Sequence, residues 1–405
     1  MKTMIYRLVR QVIFLSLIAQ IGSASTITLK KILRSANEHN ALSRSLEQDA
    51  LAQEAKNLAD TASDPFELYG EGTQARPVLG KDGYEYAIGI SKNIKLGTIQ
   101  AQEQRMTRLA NQANLLEAQG AVVNFHNGLK NLYHQYCIDV QNYGCFKQSY
   151  NDLVKLYRKK QKAYKYQEIS KTELMQIESE KNRLYAQLQE MKMMQTITKQ
   201  KLFSLSKVGY SKSMKLSCRD IYPIRNSVKL RNTFTLSKAA HEKRLSSIKE
   251  RMKRYSNDFE SVNVSVQYGK ELDIDKYTLG VSIPLTFSSK RSEHEKAAAM
   301  YRHSALEYGY EQNMREKKSM LKELTSTLKS QALMVKTLSK NHRNYKQKLL
   351  PLVKKSYVLG ETSVIEYLLS RQKFYTLNRE LYAAKKAYYN TLFTLYTISE
   401  KKDNK

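Results

Sequence analysis

Two glutamates, Glu173 and Glu366, hold matching places in a chain that repeats itself, each just after a break between long helical stretches. Carried by several copies of the chain around an axis, they would form rings of carboxylates, which attract and bind cations in a narrow opening. The same position is the first turn of a helix, where a carboxylate is favoured by the helix dipole, so a capping role stands beside the ring. No other reactive constellation is laid out. His39, His126, His134, His241, His294, His303 and His342 are scattered, and no two have the close helical spacing of a metal site. There is no phosphate loop and no nucleophile elbow. The reading is therefore no enzyme, no metal and no cofactor.

The cysteines do not form a framework. Cys137 and Cys145 are about 12 Å apart on a continuous helix at about 1.5 Å per residue. A disulfide needs Cα atoms about 4.4–6.8 Å apart. Cys218 falls in a different region, so three structural thiols are expected.

The elements that position the glutamates come in two copies. Tyr86-Ala87-Ile88-Gly89-Ile90-Ser91 recurs as Tyr277-Thr278-Leu279-Gly280-Val281-Ser282. Tyr164, Glu168, Ser170 and Glu173 recur as Tyr357, Glu361, Ser363 and Glu366. The same order with near-equal spacing points to a duplication. Each copy opens with a helix, about 28–61 and about 236–256. Two segments of period-two alternation follow, about 64–92 and about 259–287. Val262, Val264, Val266 and Tyr268 alternate with polar residues. After a turn at Asp273–Lys276 so do Tyr277, Leu279, Val281, Ile283 and Leu285. Phe66, Leu68, Tyr84, Tyr86, Ile88 and Ile90 do the same in the first copy, around a turn carrying Arg76-Pro77 and Gly80–Gly83. This is the pattern of β-hairpins with one apolar face.

A long helix comes next, about 98–164 and about 290–356, then a return helix, about 171–206 and about 364–397. Leu321, Leu328, Val335 and Leu349, with Leu324, Leu338, Tyr345 and Leu352, follow a heptad seam; Gln331 and His342 fill its gaps. The last helix carries Leu368, Tyr375, Tyr382, Tyr389 and Tyr396 at steps of seven, flanked by Phe374, Leu381, Tyr388 and Leu395. An aromatic stripe at this spacing reads as packing.

Composition sets the compartment. Residues 1–24 read as an export signal. Lys2, Arg7 and Arg10 precede a short apolar run over 12–19, and Gly22-Ser23-Ala24 offers a cleavage site. The plan is then a first repeat at 25–207, a linker at 208–235, a second repeat at 236–398 and a polar tail at 399–405. No later run is long and apolar enough for a membrane helix. The formal net charge of +30 raises nucleic acid as a partner. Export, and lysines spread along whole helices without a compact basic motif, argue against it.

Four strands cannot close a barrel, and open edges are not tolerated in lipid. Several chains must then share one barrel; three chains would supply twelve strands, an even number as in bacterial barrels. A helix of roughly 67 residues, about 100 Å at about 1.5 Å each, cannot bury its seam in one globular domain and must pack on neighbours. The fold class read here is mainly α with a small β part: a duplicated strand hairpin plus a long antiparallel coiled-coil hairpin.

The chain resembles the TolC-like outer-membrane efflux family over nearly its whole length after the signal. Thr28-Leu29-Lys30-Lys31-Ile32-Leu33 with Asn40-Ala41-Leu42 looks like that family's opening helix, with Ala41 where the family usually has proline. Tyr277–Leu285 looks like the strand leading into the second long helix. Tyr357-Val358-Leu359-Gly360-Glu361-Thr362-Ser363-Val364-Ile365-Glu366-Tyr367-Leu368 looks like the helix-turn signature at the periplasmic tip. The first tip departs from it: Gln167 replaces the usual glycine, which predicts a looser turn. Leu369 stands where a further acid is sometimes found.

The resemblance implies a homotrimer with a twelve-stranded β-barrel in the outer membrane and an α-helical tunnel through the periplasm of a Gram-negative bacterium. It implies a passive exit duct of a tripartite efflux or type I secretion system, served by a periplasmic adaptor and an inner-membrane pump. On this chain the gate would involve Glu173, Glu366, Tyr357 and Gly360. Docking at the tips would involve Gln167, Glu168, Ser170, Gly360, Glu361 and Ser363. The rival is a periplasmic coiled-coil adaptor or scaffold, which usually shows one hairpin flanked by small β domains. Two equal hairpins, each after a strand pair, favour the duct.

Overall fold

A computed structural model describes residues 26–401 apart from 40, 77–81, 210–213, 231, 257, 258, 273 and 285–289. The expected export signal, the ends of both strand turns, Leu285 and residues 402–405 lie outside the described residues. The chain is mainly helical with one small antiparallel sheet. In order, the elements are α1 (Leu29–Glu38), α2 (Ala41–Asp60), β1 (Phe66–Ala75), β2 (Gly83–Lys95), α3 (Ile99–Lys165) and α4 (Lys171–Ser206). Then come α5 (Thr235–Arg254), β3 (Ser261–Glu271), β4 (Ile274–Ser282), α6 (Arg291–Asn344), a π-turn (Tyr345–Leu349), α7 (Leu350–Val358) and α8 (Val364–Ile398). No helix among the described residues is long and apolar enough to cross a membrane.

The chain divides into two compact units, one of Met1–Ala41, Val123–Thr233 and Met320–Lys405, the other of Leu42–Val122 and Phe234–Ser319. The first holds the helical core. Phe374, Tyr375, Leu381, Tyr388, Tyr389, Leu395 and Tyr396 of α8 are all buried. The aromatic stripe is therefore packing: Tyr388, Tyr389 and Phe393 meet Leu328, Ala332 and Val335 of α6. The heptad seam does not run to its end. Leu349 and Leu352 are exposed, Leu352 by 62%, while Leu350 packs inward beside Tyr345. Pro351 has no amide proton and clashes with the carbonyl four residues back, and the wider π-turn just before it absorbs that. One extra residue in the turn shifts the phase by about 100°.

The linker is strapped to the helices. Cys137 of α3 and Cys218 form a disulfide with Cα atoms 5.5 Å apart, which corrects the expectation of three thiols; only Cys145 is free. A tertiary approach across 81 residues is invisible to helical spacing. Tyr133 Oη donates to the Ser217 carbonyl and accepts from the Asp220 amide. Tyr388 Oη brackets Arg225 in the same way.

In the second unit, half-buried ions tie the sheet's base to its helices. Glu103 of α3 accepts from Lys95 Nζ at 2.7 Å and from Arg254 Nε at 3.1 Å, and Arg254 also pairs with Glu260. Ser247 Oγ of α5 donates to the Met106 carbonyl. Helix α2 buries none of its side chains.

Candidate functional site

The first candidate surface is the sheet. Its order is β1-β2-β3-β4, all antiparallel, so the two hairpins lie side by side and leave β1 and β4 as edges. Register sets what each face carries, because residues opposite each other share a face. Leu68, Ile90, Val266 and Leu279 form one row across all four strands. Phe66, Lys92, Val264 and Val281 form the next, with Lys92 Nζ lying 4.4 Å over the Phe66 ring. On the turn side follow Ile88, Tyr268 and Tyr277, then Tyr86. Among the described residues this face is largely open: Leu68 is 75% exposed and Leu279 74%.

The opposite face is polar. Glu67, Ser91 and Ser265 form one row with Gly280, and Gln267 and Thr278 join Tyr69 and Gly89 in the next. Tyr69 lies flat over Gly89, where any added Cβ would sit 2.4 Å from the ring, and its hydroxyl reaches Gln267. An uncovered apolar face, a polar face and two open edges are what a strand pair needs to join a closed barrel in lipid.

The second candidate surface is the pair of hairpin ends, which share one backbone. After α3, the Glu168 amide donates to the Ala163 carbonyl and the Gln167 amide to that of Tyr164. After α7, the Glu361 amide donates to Ser356 and the Gly360 amide to Tyr357. These are paired closures of one helix-ending motif, with a left-handed residue at its turn. Gly360 has φ 80° and Gln167 φ 59°. The looser turn expected at Gln167 is not found: the glutamine takes the glycine conformation, at about 1–2 kcal/mol of backbone strain.

Ser170 and Ser363 then cap the return helices. Ser170 Oγ accepts from the Glu173 amide at 3.1 Å and Ser363 Oγ from the Glu366 amide at 3.2 Å. The two carboxylates part company here. Glu366 turns back to accept from the Ser363 amide, completing a capping box. Glu173 reaches across to the other hairpin, accepting from Tyr357 Oη at 2.6 Å and pairing with Lys160 Nζ at 2.9 Å. Burial, then the bond to Glu173, pushes the Tyr357 phenol up strongly. Lys160 also sits over the Tyr357 ring, which stacks on Tyr367.

Behind them lies Arg371, buried and with no carboxylate in ion-pair contact among the described residues. It donates to Tyr367 Oη and Tyr375 Oη at 2.9 Å each, and to the Ser149 carbonyl at 2.7 Å. Burial works against its charge, but the two phenols more than offset this and its pKa is raised. The sequence pattern does not single out Lys160 or Arg371, and it carries Tyr367 only inside the helix-turn signature. The spacing of 367, 371 and 375 on one helix stripe was the available signal. Gln167, Glu168, Gly360 and Glu361 are exposed at the ends. Among the described residues no three metal-ligating side chains converge.

Solved outer-membrane channels share this arrangement. The Campylobacter jejuni CmeC outer membrane channel matches with a TM-score of 0.73 at 15% identity, over 93% of this chain and 87% of its own. CusC, described through its folding and transmembrane channel formation, matches with 0.75 at 14%, over 91% of each chain. The chain has the TolC-like outer-membrane channel fold. The Vibrio cholerae outer membrane protein VceC matches with 0.70 at 12%, over 92% of this chain and 96% of its own. These are channel and membrane proteins, not enzymes. No protein-family model matches the sequence, and no curated protein does.

Proposed function

We propose that this chain is the exit channel of an export system in the outer membrane of a Gram-negative bacterium. The observation that carries the reading is the sheet's bare apolar face between two open edges. One copy can neither bury that face in protein nor satisfy those edges in lipid. Three copies, edge to edge, give a twelve-stranded barrel whose polar face lines the lumen. Transport is passive, downstream of a periplasmic adaptor and an inner-membrane pump. Those two partners come from the resemblance to the TolC-like family, as do the trimer, the helical tunnel and the tripartite or type I setting.

At the hairpin ends, Glu173 with Lys160 and Tyr357 is a latch between the two hairpins, and Glu366 is a cap. Gln167, Glu168, Ser170, Gly360, Glu361 and Ser363 form the rim that a partner meets.

The test is conductance. Protein purified from outer membranes and cross-linked to a trimer is added to a planar bilayer. Discrete single-channel steps are expected. Material that fractionates with soluble periplasmic protein, stays monomeric and gives no steps refutes the channel. Glu173→Gln plus Glu366→Gln then asks whether either carboxylate reaches the lumen. Altered cation block or ion preference puts at least one of them there, and unchanged currents leave them as latch and cap.

A further inference from the structure

Residues 222–229 of the linker run over α8 and are pinned to it along their length. Tyr389 Oη donates to the Tyr222 carbonyl. Tyr388 Oη accepts from the Arg225 amide at 2.9 Å and donates to the Arg225 carbonyl at 3.1 Å. Lys401, just past α8, lays its Nζ over the Tyr396 ring at 4.7 Å and donates to the Lys229 carbonyl at 3.5 Å. Between the linker and α8 lies a cavity of about 450 Å³, a size usual for small-molecule sites. Cys137, where the linker is bridged to α3, stands about 42 Å along that helix from its end at Lys165, at about 1.5 Å per residue. The cavity is thus separate from the hairpin ends.

Its two sides differ in chemistry. Tyr388, Leu392 and Tyr396 of α8, all buried, give it a largely apolar floor. Exposed Arg225 and Lys229, with half-buried Lys401, supply its charge. None of these three has a carboxylate in ion-pair contact among the described residues, and no acid is among the residues that line the cavity. The linker's only acid, Asp220, is turned to the Leu29 amide. Three like charges around one cavity repel, and an anion between them relieves that cost. A compact anion such as phosphate would answer the charge and leave the floor bare. A neutral apolar molecule would do the reverse. An apolar body ending in a carboxylate answers both, and the planar Arg225 guanidinium suits a carboxylate held by two parallel bonds.

We infer that the space between linker and α8 is a binding site for small amphiphilic carboxylates. The apolar body lies against Tyr388, Leu392 and Tyr396, and the acid group faces Arg225, Lys229 and Lys401. Occupancy fastens the linker further, because the ligand touches both walls and binds only the folded chain. The site belongs to a single chain and does not depend on the barrel.

The test uses the purified full-length protein in a neutral detergent, with a fluoronaphthoate as probe and its uncharged carboxamide, of the same shape, as comparison. Affinity is read by fluorine NMR relaxation, with protein-free micelles subtracted, and location by hydrogen exchange over residues 219–230. The naphthoate should bind about tenfold more tightly than the amide, the worth of one charge-assisted bond, and should slow exchange at the Arg225 amide. Arg225→Gln with Lys229→Gln removes two charges and keeps the backbone bonds to Tyr388. It should bring the two probes level. Val228→Phe, which adds bulk to the linker wall of the cavity, should weaken both. Lys249→Gln with Lys296→Gln and Lys318→Gln, three exposed lysines elsewhere, should change neither. Four outcomes overturn the inference: equal affinity of the two probes for the unaltered protein, an equal loss from the distant lysines, protection confined to other segments, or displacement of the naphthoate by equimolar inorganic phosphate.

Discussion

Lowering the pH from 7.5 to 5 should loosen the linker strap through a single side chain, His134. It is fully buried, with Nδ1 2.7 Å from the Lys130 carbonyl, and Nε2 accepts from the Tyr222 amide at 2.9 Å. Only the neutral ring, protonated at Nδ1, satisfies both contacts. The rings of Tyr133, Tyr222, Tyr389 and Phe393 surround it. Burial, with the nearby Lys130 charge, lowers its pKa to about 4 against an ordinary 6.5. A depressed histidine pKa means that the unfolded chain takes up the proton first. The contribution to stability is whole above about 6.5, falls as pH drops through 6.5 toward 4, and is gone below about 4. At about 1.4 kcal/mol per unit the full effect is about 3 kcal/mol, of which about 2 is lost by pH 5. The assay is hydrogen exchange at the Tyr222 amide, with urea unfolding alongside, across that pH range. His134→Phe should cost about 1–3 kcal/mol at pH 7.5, because the Tyr222 amide loses its acceptor, and should flatten the pH dependence that the wild type shows. Parallel pH curves for the two proteins would refute the reasoning.

The sheet predicts a face-specific response. Val264→Asp with Val281→Asp puts two charges directly opposite each other in the apolar row. This should abolish the proposed trimer in detergent, each basic charge at mid-membrane costing about 2–4 kcal/mol and each acid less. Ser265→Asp or Ser282→Asp, on the other face, should leave the trimer intact by light scattering. Reduction of Cys137–Cys218, or Cys137→Ser, should lower stability by about 4 kcal/mol on loop-closure grounds. Before reduction, maleimide should label Cys145 alone, and labelling of three thiols would show that the bridge does not form. Gln167→Gly should stabilise by about 1 kcal/mol by relieving the left-handed strain, visible as a raised thermal midpoint. An unchanged or lowered midpoint would mean the glutamine side chain makes compensating contacts.

Much of this molecule can be read from its one-dimensional pattern. Few glycines and prolines with heptad spacing announce long helices, and period-two alternation around 64–92 and 259–287 announces paired strands. The burial of the α8 aromatic stripe follows from the same periodicity, since a stripe wide enough to be apolar on every turn must be covered. Periodicity ends where a tertiary constraint intrudes. Pro351 forces a wide turn, so Leu350 replaces Leu349 and Leu352 at the core. Cys137 finds Cys218 because the linker folds back along α3, an approach that spacing along the chain does not encode. The hairpin ends show the same limit. Glu173 and Glu366 sit at matching positions behind matching serine caps, yet Glu366 completes a capping box while Glu173 crosses to Tyr357 of the other hairpin and pairs with Lys160 of its own. Local sequence determines that each helix starts at its serine, because the cap bond closes within four residues. Which carboxylate remains free to leave its cap was decided by what the opposing hairpin places within reach, and that is a property of packing alone.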